Sequence, residues 1–121
     1  MATTWADVDE LAGRLPGAER TVAHEGSPAW RAGRHTFARL RVDEDARELV
    51  QVWTREMDAA LALAGRRDVF VRIDTFRFRV TLWARLDRLD RRELAELLLD
   101  SYDVRGGPRR RGDIGLADLL R

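Results

Sequence analysis

Between residues 76 and 87 side chains of two kinds alternate without a break. Phe76, Phe78, Val80, Leu82, Ala84 and Leu86 fall on one side, and Arg77, Arg79, Thr81, Trp83, Arg85 and Asp87 on the other. A period of two marks a strand, because successive side chains of a strand point to opposite faces of the sheet. One apolar face and one arginine-bearing face fit an antiparallel sheet that is covered on one side only. The chain must therefore supply helices for the apolar side and further strands for the edges.

Both are legible. Thr4 is a good N-cap, with Asp7 at the capping-box position, and Trp5, Val8, Leu11, Ala12 and Leu15 follow at helical spacing until Pro16-Gly17. This predicts a helix over 4–15. Residues 20–54 read as strands: 20–25, ended by Gly26-Ser27-Pro28, then 29–31, a turn at Ala32-Gly33-Arg34, then 35–42 and 48–54. In 35–42, Ala38, Leu40 and Val42 share one face and Phe37, Arg39 and Arg41 the other; in 48–54, Val50 and Val52 oppose Leu49, Gln51 and Trp53. Thr54 caps an expected helix over 55–64, with Glu56 and Asp58 in its first turn and an apolar stripe of Met57, Ala60, Leu61 and Ala64. A short strand over 69–73 precedes the long one. Asp90-x-x-Glu93 starts a helix over 91–103 that carries Leu94, Leu97, Leu98 and Tyr102.

The order is helix, about three strands, helix, two strands, helix (α-β3-α-β2-α). It implies a two-layer α+β sandwich with helices packed on one face of a twisted antiparallel sheet. At 121 residues there is room for one domain. We assign that domain to 1–105. Gly106-Gly107-Pro108 then breaks the chain, and 106–121 is expected as a basic tail, flexible over 109–112, with a short helical turn near 115–120.

Composition excludes several classes of function. All 22 basic residues are arginine, against 21 acids, for a net charge of +1. With no cysteine there is no disulfide, thiolate metal site or cysteine nucleophile. Only His24 and His35 are available as imidazoles, so no metal and no cofactor is expected. His24 and Glu25 flank a Gly-Ser-Pro turn, which fits a backbone-bonded turn histidine better than a general acid/base pair. Asp43-Glu44-Asp45 lacks the glycine and spacing of a calcium loop and reads as a charged hairpin turn. There is no Gly-rich phosphate loop and no run of roughly 18 apolar residues or signal-peptide core. The expectation is a cytoplasmic, non-catalytic protein without a membrane partner.

What remains is the charged face of the sheet. Residues 66–85 hold six arginines against Asp68 and Asp74, and 105–111 add four with no acid, whereas 43–58 carries six acids against Arg47 and Arg55. Arg39, Arg41, Arg77, Arg79 and Arg85 would line one face, with Trp83 placed to stack on bases and Arg109, Arg110 and Arg111 assisting from the tail. Two other readings stay open at this level. The arginines pair across strands with acids on a solvated face, or the face with Trp53 and Trp83 meets another protein, a small ligand or a second copy of the chain.

Four stretches in order resemble the MmcQ/YjbR family of small bacterial proteins. They are the first helix ending in Leu15-Pro16-Gly17-Ala18-Glu19; His24-Glu25-Gly26-Ser27-Pro28-Ala29-Trp30-Arg31 followed by Gly33-Arg34-His35-Thr36-Phe37-Ala38-Arg39-Leu40; the long strand into Leu86-Asp87; and Leu89-Asp90 with Glu93-Leu94-Ala95-Glu96-Leu97-Leu98. The resemblance covers roughly residues 4–104. It implies a compact α+β fold of double-wing type and DNA binding. Where the family commonly has lysine after the glycine, this chain has Arg34.

Overall fold

A computed structural model describes residues 2–23, 26–55, 65–66, 68–71, 81–107 and 109–121. The expected helix over 55–64 lies outside the described residues apart from Arg55, as do residues 72–80, including the first half of the long alternating segment.

The first helix, α1 (Trp5–Ala12), starts as its caps dictate: the Thr4 N–H donates to Asp7 Oδ2 at 2.8 Å. It ends three residues before the expected stop. The N–H groups of Arg14 and Leu15 bond back to Leu11 and Ala12, so the last turn tightens to three-residue spacing while Leu15 stays buried.

Four strands follow, one at each of the segments read from the sequence: β1 (Ala18–Val22), β2 (Pro28–Ala32), β3 (His35–Val42) and β4 (Glu48–Trp53). β1 begins two residues before the expected segment 20–25 and ends at Val22. It is a mostly exposed edge with charges at Glu19 and Arg20, and it pairs with β2 from Ala18↔Ala32 to Val22↔Pro28. Then come β5 (Phe70–Val71), β6 (Thr81–Arg85), a 3-10 turn over Leu86–Arg88, α2 (Arg91–Gly106) and α3 (Leu116–Leu120). All strand pairs are antiparallel, in the order β1-β2-β3-β4-β6-β5. The architecture is the expected α+β layering.

The long helix α2 closes the core. Asp90 Oδ1 accepts the Glu93 N–H at 2.8 Å, and Leu94, Ala95, Leu98, Leu99, Ser101 and Tyr102 form its buried face. They meet Val50, Val52, Leu82 and Ala84 from the sheet and Val8 and Leu11 from α1. Each fully buried leucine or valine contributes about 1.5–3 kcal/mol. Ser101 ties α2 to two strands: its hydroxyl accepts the Trp53 N–H at 2.8 Å and donates to the Phe37 carbonyl.

Phe37 departs from the simple alternation. Trp30 pairs with Ala38, but Arg31 pairs with Thr36, so Phe37 is the extra residue of a β-bulge. The bulge turns Phe37 to the same side as Ala38. There it is fully buried, edge-on to Tyr102 at 5.5 Å and 89°, instead of sharing a face with Arg39 and Arg41.

The C-terminal segment also departs from expectation. Residues 109–113 form turns and α3 docks, with Leu119 fully buried and Ile114, Leu116 and Leu120 against the core. The Arg14 guanidinium donates to the Leu119 carbonyl. This apolar content is why the segment packs rather than trailing as a flexible tail.

Candidate nucleic-acid interface

Strand register places the expected arginines. Across the sheet, Ala29, Arg39, Gln51, Trp83 and Val71 align in one row, and Arg41, Leu49 and Arg85 in the next. Their neighbours Ala38, Leu40, Val50 and Ala84 belong to the helix-side core. Arg39, Arg41 and Arg85 therefore share the face opposite the helices, as the period of two requires. Arg77 and Arg79 lie outside the described residues.

The middle of that face is closed to solvent. Ala29, Leu49, Gln51 and Thr81 are buried, and Trp83 is only 6% exposed. The Arg41 guanidinium carbon sits 5.4 Å from the Trp83 ring centroid. Trp83 is thus a buried support for a cation and not an exposed platform for bases. The long arginine stem lies over the apolar surface while its charge reaches water. Cations ring the face: Arg41 is exposed, Arg39 and Arg85 are half-buried, and Arg85 Nη1 donates to the Asp68 carbonyl at 3.1 Å.

At one corner of the face a groove of about 390 Å³ opens, lined by Ser27, Pro28, Arg39, Leu40, Arg41 and Val42. Unequal strand lengths create it. β2 begins at Pro28, while β3 continues three residues past its last partnered position, Arg39↔Ala29. Proline has no N–H with which to extend the ladder. Among the described residues the lining combines two guanidinium groups and a hydroxyl, with no carboxylate. The sequence pattern does not single out Ser27 and Pro28 as lining residues; the signal for them is the turn Gly26-Ser27-Pro28, placed before a strand shorter than its neighbour.

Beyond the groove stands the acidic turn. Asp43 Oδ1 accepts the N–H groups of Asp45 at 2.9 Å and Arg47 at 3.0 Å, so its side chain shapes the hairpin. Among the described residues no group of three or more histidine, aspartate or glutamate side chains is placed to hold a metal, and no helix is long and apolar enough to cross a membrane.

The three tail arginines separate. Arg111 pairs with Asp103 at 3.3 Å. Burial raises the Asp103 carboxyl above its ordinary pKa, and the nearby Arg111 only partly offsets this. Arg110 lies across Gly33 of the β2–β3 turn, and Arg109 is exposed. Trp53 is half-buried with the Arg105 guanidinium 4.7 Å from its ring centroid. Arg105 Nε also donates to the Thr36 carbonyl at 2.9 Å, and burial lowers the Arg105 pKa. Trp53 and Trp83 accordingly do not form an exposed aromatic pair. His24 and Glu25 lie outside the described residues.

The YjbR family model matches residues 13–104, which span all six described strands and most of α2. The chain belongs to the YjbR family. Two helices of this YjbR protein, α1 and α3, flank the matched region. Its fold is similar to the crystal structure of Deinococcus radiodurans protein DR2400, a DUF419 domain, with a TM-score of 0.71 at 14% identity over 85% of this chain and 78% of that one. At that identity the likeness concerns the fold alone. No curated protein matches the sequence.

Proposed function

We propose that this YjbR-family chain is a non-catalytic, cytoplasmic DNA-binding protein that holds phosphates at the groove formed by Arg39 and Arg41. The observation that carries the reading is the lining of that groove: two guanidinium groups on alternate positions of one strand with the Ser27 hydroxyl beside them, and no carboxylate among the described lining residues. A guanidinium fork matches phosphate geometry and keeps its charge at any physiological pH. Arg85 extends the basic rim, and the alternating pattern assigns Arg77 and Arg79 to the same face. Asp43, Glu44 and Asp45 mark where a polyanion must turn away. With Trp83 buried, contact is to the phosphate backbone and tolerant of sequence.

The test is a titration of duplex DNA by fluorescence anisotropy at about 50 and 200 mM salt. A phosphate-held complex loses affinity steeply over that range, with a log–log slope near −0.9 for each phosphate contacted. The Arg39→Ala/Arg41→Ala variant should weaken binding alike for unrelated sequences and flatten the slope by about two. Binding that ignores salt, or that survives this double substitution unchanged, removes the reading.

A further inference from the structure

A second set of cations gathers at the other end of β3, outside the groove. Arg34 sits in the β2–β3 turn. The Arg110 side chain reaches back from beyond α2 and lies across three glycines. A Cβ on Gly33 would stand 2.8 Å from Arg110 Nη2, one on Gly106 3.2 Å from its Cδ, and one on Gly17 3.8 Å from its Nη1. Gly33 and Gly17 have φ of +64° and +69°, so these turns favour residues without a side chain, and that leaves the slot open to Arg110. Arg109 is its exposed neighbour.

This arrangement is held and not frayed. The Arg110 N–H bonds to the Gly107 carbonyl and the Gly112 N–H to the Arg109 carbonyl, Arg111 is paired to Asp103, and α3 is anchored by Leu119. Much of the arginine elsewhere is matched to a carboxylate, as in Arg20–Asp9, Arg31–Glu19, Arg91–Asp7 and Arg92–Glu96. Here the balance fails. Among the described residues the side chains of Arg34 and Arg109 have no hydrogen-bond or ion-pair partner, and that of Arg110 has only a 3.4 Å bond from Nε to the Gly106 carbonyl. Like charges carried on neighbouring turns without a counter-charge repel, and an anion bound among them relieves that cost.

We infer that Arg34, Arg109 and Arg110 form a second phosphate-contact patch for DNA, to which a segment beyond the family-matched region contributes Arg109 and Arg110. This rests on the DNA-binding reading and extends it: the C-terminal segment adds contacts that a chain ending with α2 would lack. Arg111, tied to Asp103, is excluded from the patch and serves to hold the segment down.

The experiment is the salt dependence of binding to a duplex of about 20 base pairs by four proteins: wild type, Arg39→Ala/Arg41→Ala, Arg34→Ala/Arg109→Ala, and the charge-matched control Arg92→Ala/Arg121→Ala. Arg34 and Arg109 have no partner to lose, so the variant should melt at the wild-type temperature. The expected result is a slope flattened by about two for Arg34→Ala/Arg109→Ala and unchanged for the control. If the wild type binds but the Arg34→Ala/Arg109→Ala slope equals that of the wild type, the second patch is wrong and the groove reading stands. Equal losses in variant and control reduce the effect to net charge and also overturn the patch. A wild type that does not bind DNA overturns both.

Discussion

The Arg41 guanidinium stands 5.4 Å from the ring centroid of Trp83, two strands away across β4. The pair converts an indole with 6% exposure into a base for a solvent-facing cation. It links the burial of the sheet's second face to the charge on its rim: the ring excludes water beneath, and the guanidinium stays wet above.

This relationship separates two roles for Trp83. As a buried aromatic, Trp83→Ala should cost about 3–5 kcal/mol of stability. A surface stacking residue would cost no more than about 0.5 kcal/mol. Urea unfolding of the variant distinguishes them, and a small loss would return Trp83 to the surface.

Ser101 is the polar pin of the core. Its hydroxyl serves the Trp53 N–H and the Phe37 carbonyl at once. Ser101→Ala leaves both backbone groups without that partner and should cost about 1–3 kcal/mol. Hydrogen exchange should quicken at the Trp53 amide specifically, a site-resolved change that a general loosening of the fold would not confine to one residue.

Gly33 combines a φ of +64° with the overlying Arg110. Gly33→Ala incurs about 1–2 kcal/mol for the left-handed backbone and also displaces the guanidinium. In a double-mutant cycle with Arg110→Ala, the second substitution should recover part of the loss. Strict additivity would show that the side chain does not rest on the turn.

Asp103 supplies a pH signature. Burial raises its folded-state pKa above the ordinary 3.8. Its favourable contribution is fully present below the unfolded value and is lost as pH rises through the folded one. Relative to wild type, Asp103→Asn should therefore gain melting temperature between pH 3 and pH 7. A constant offset across that range would contradict the assignment.

Leu119 tests whether the C-terminal segment is part of the folded unit. It is fully buried, so Leu119→Ala should cost about 2–5 kcal/mol in a single cooperative transition. A change within about 0.5 kcal/mol would mean that the segment contributes nothing to the core.

Short-range chemistry made much of this protein legible from its residue order. The caps at Thr4 and Asp90, the stripe Leu94–Leu98–Tyr102 on α2, and the opposition of Arg39 and Arg41 to Ala38 and Leu40 all depend on neighbours within eight positions along the chain. Such periodicities survive folding because helix and strand geometry impose them locally. The family likewise shows in the order of its short stretches.

Other features required segments far apart in the chain to meet. The bulge that turns Phe37 inward exists only as a mismatch of register between β2 and β3. The groove at Arg39 and Arg41 exists because one strand outruns its partner, and the second patch because Arg110 returns to a turn more than seventy residues earlier. A residue order states which face a side chain takes. Pairing register and long-range packing decide whether that face is open, as at Arg41, or sealed, as at Trp83, because burial depends on what arrives from elsewhere.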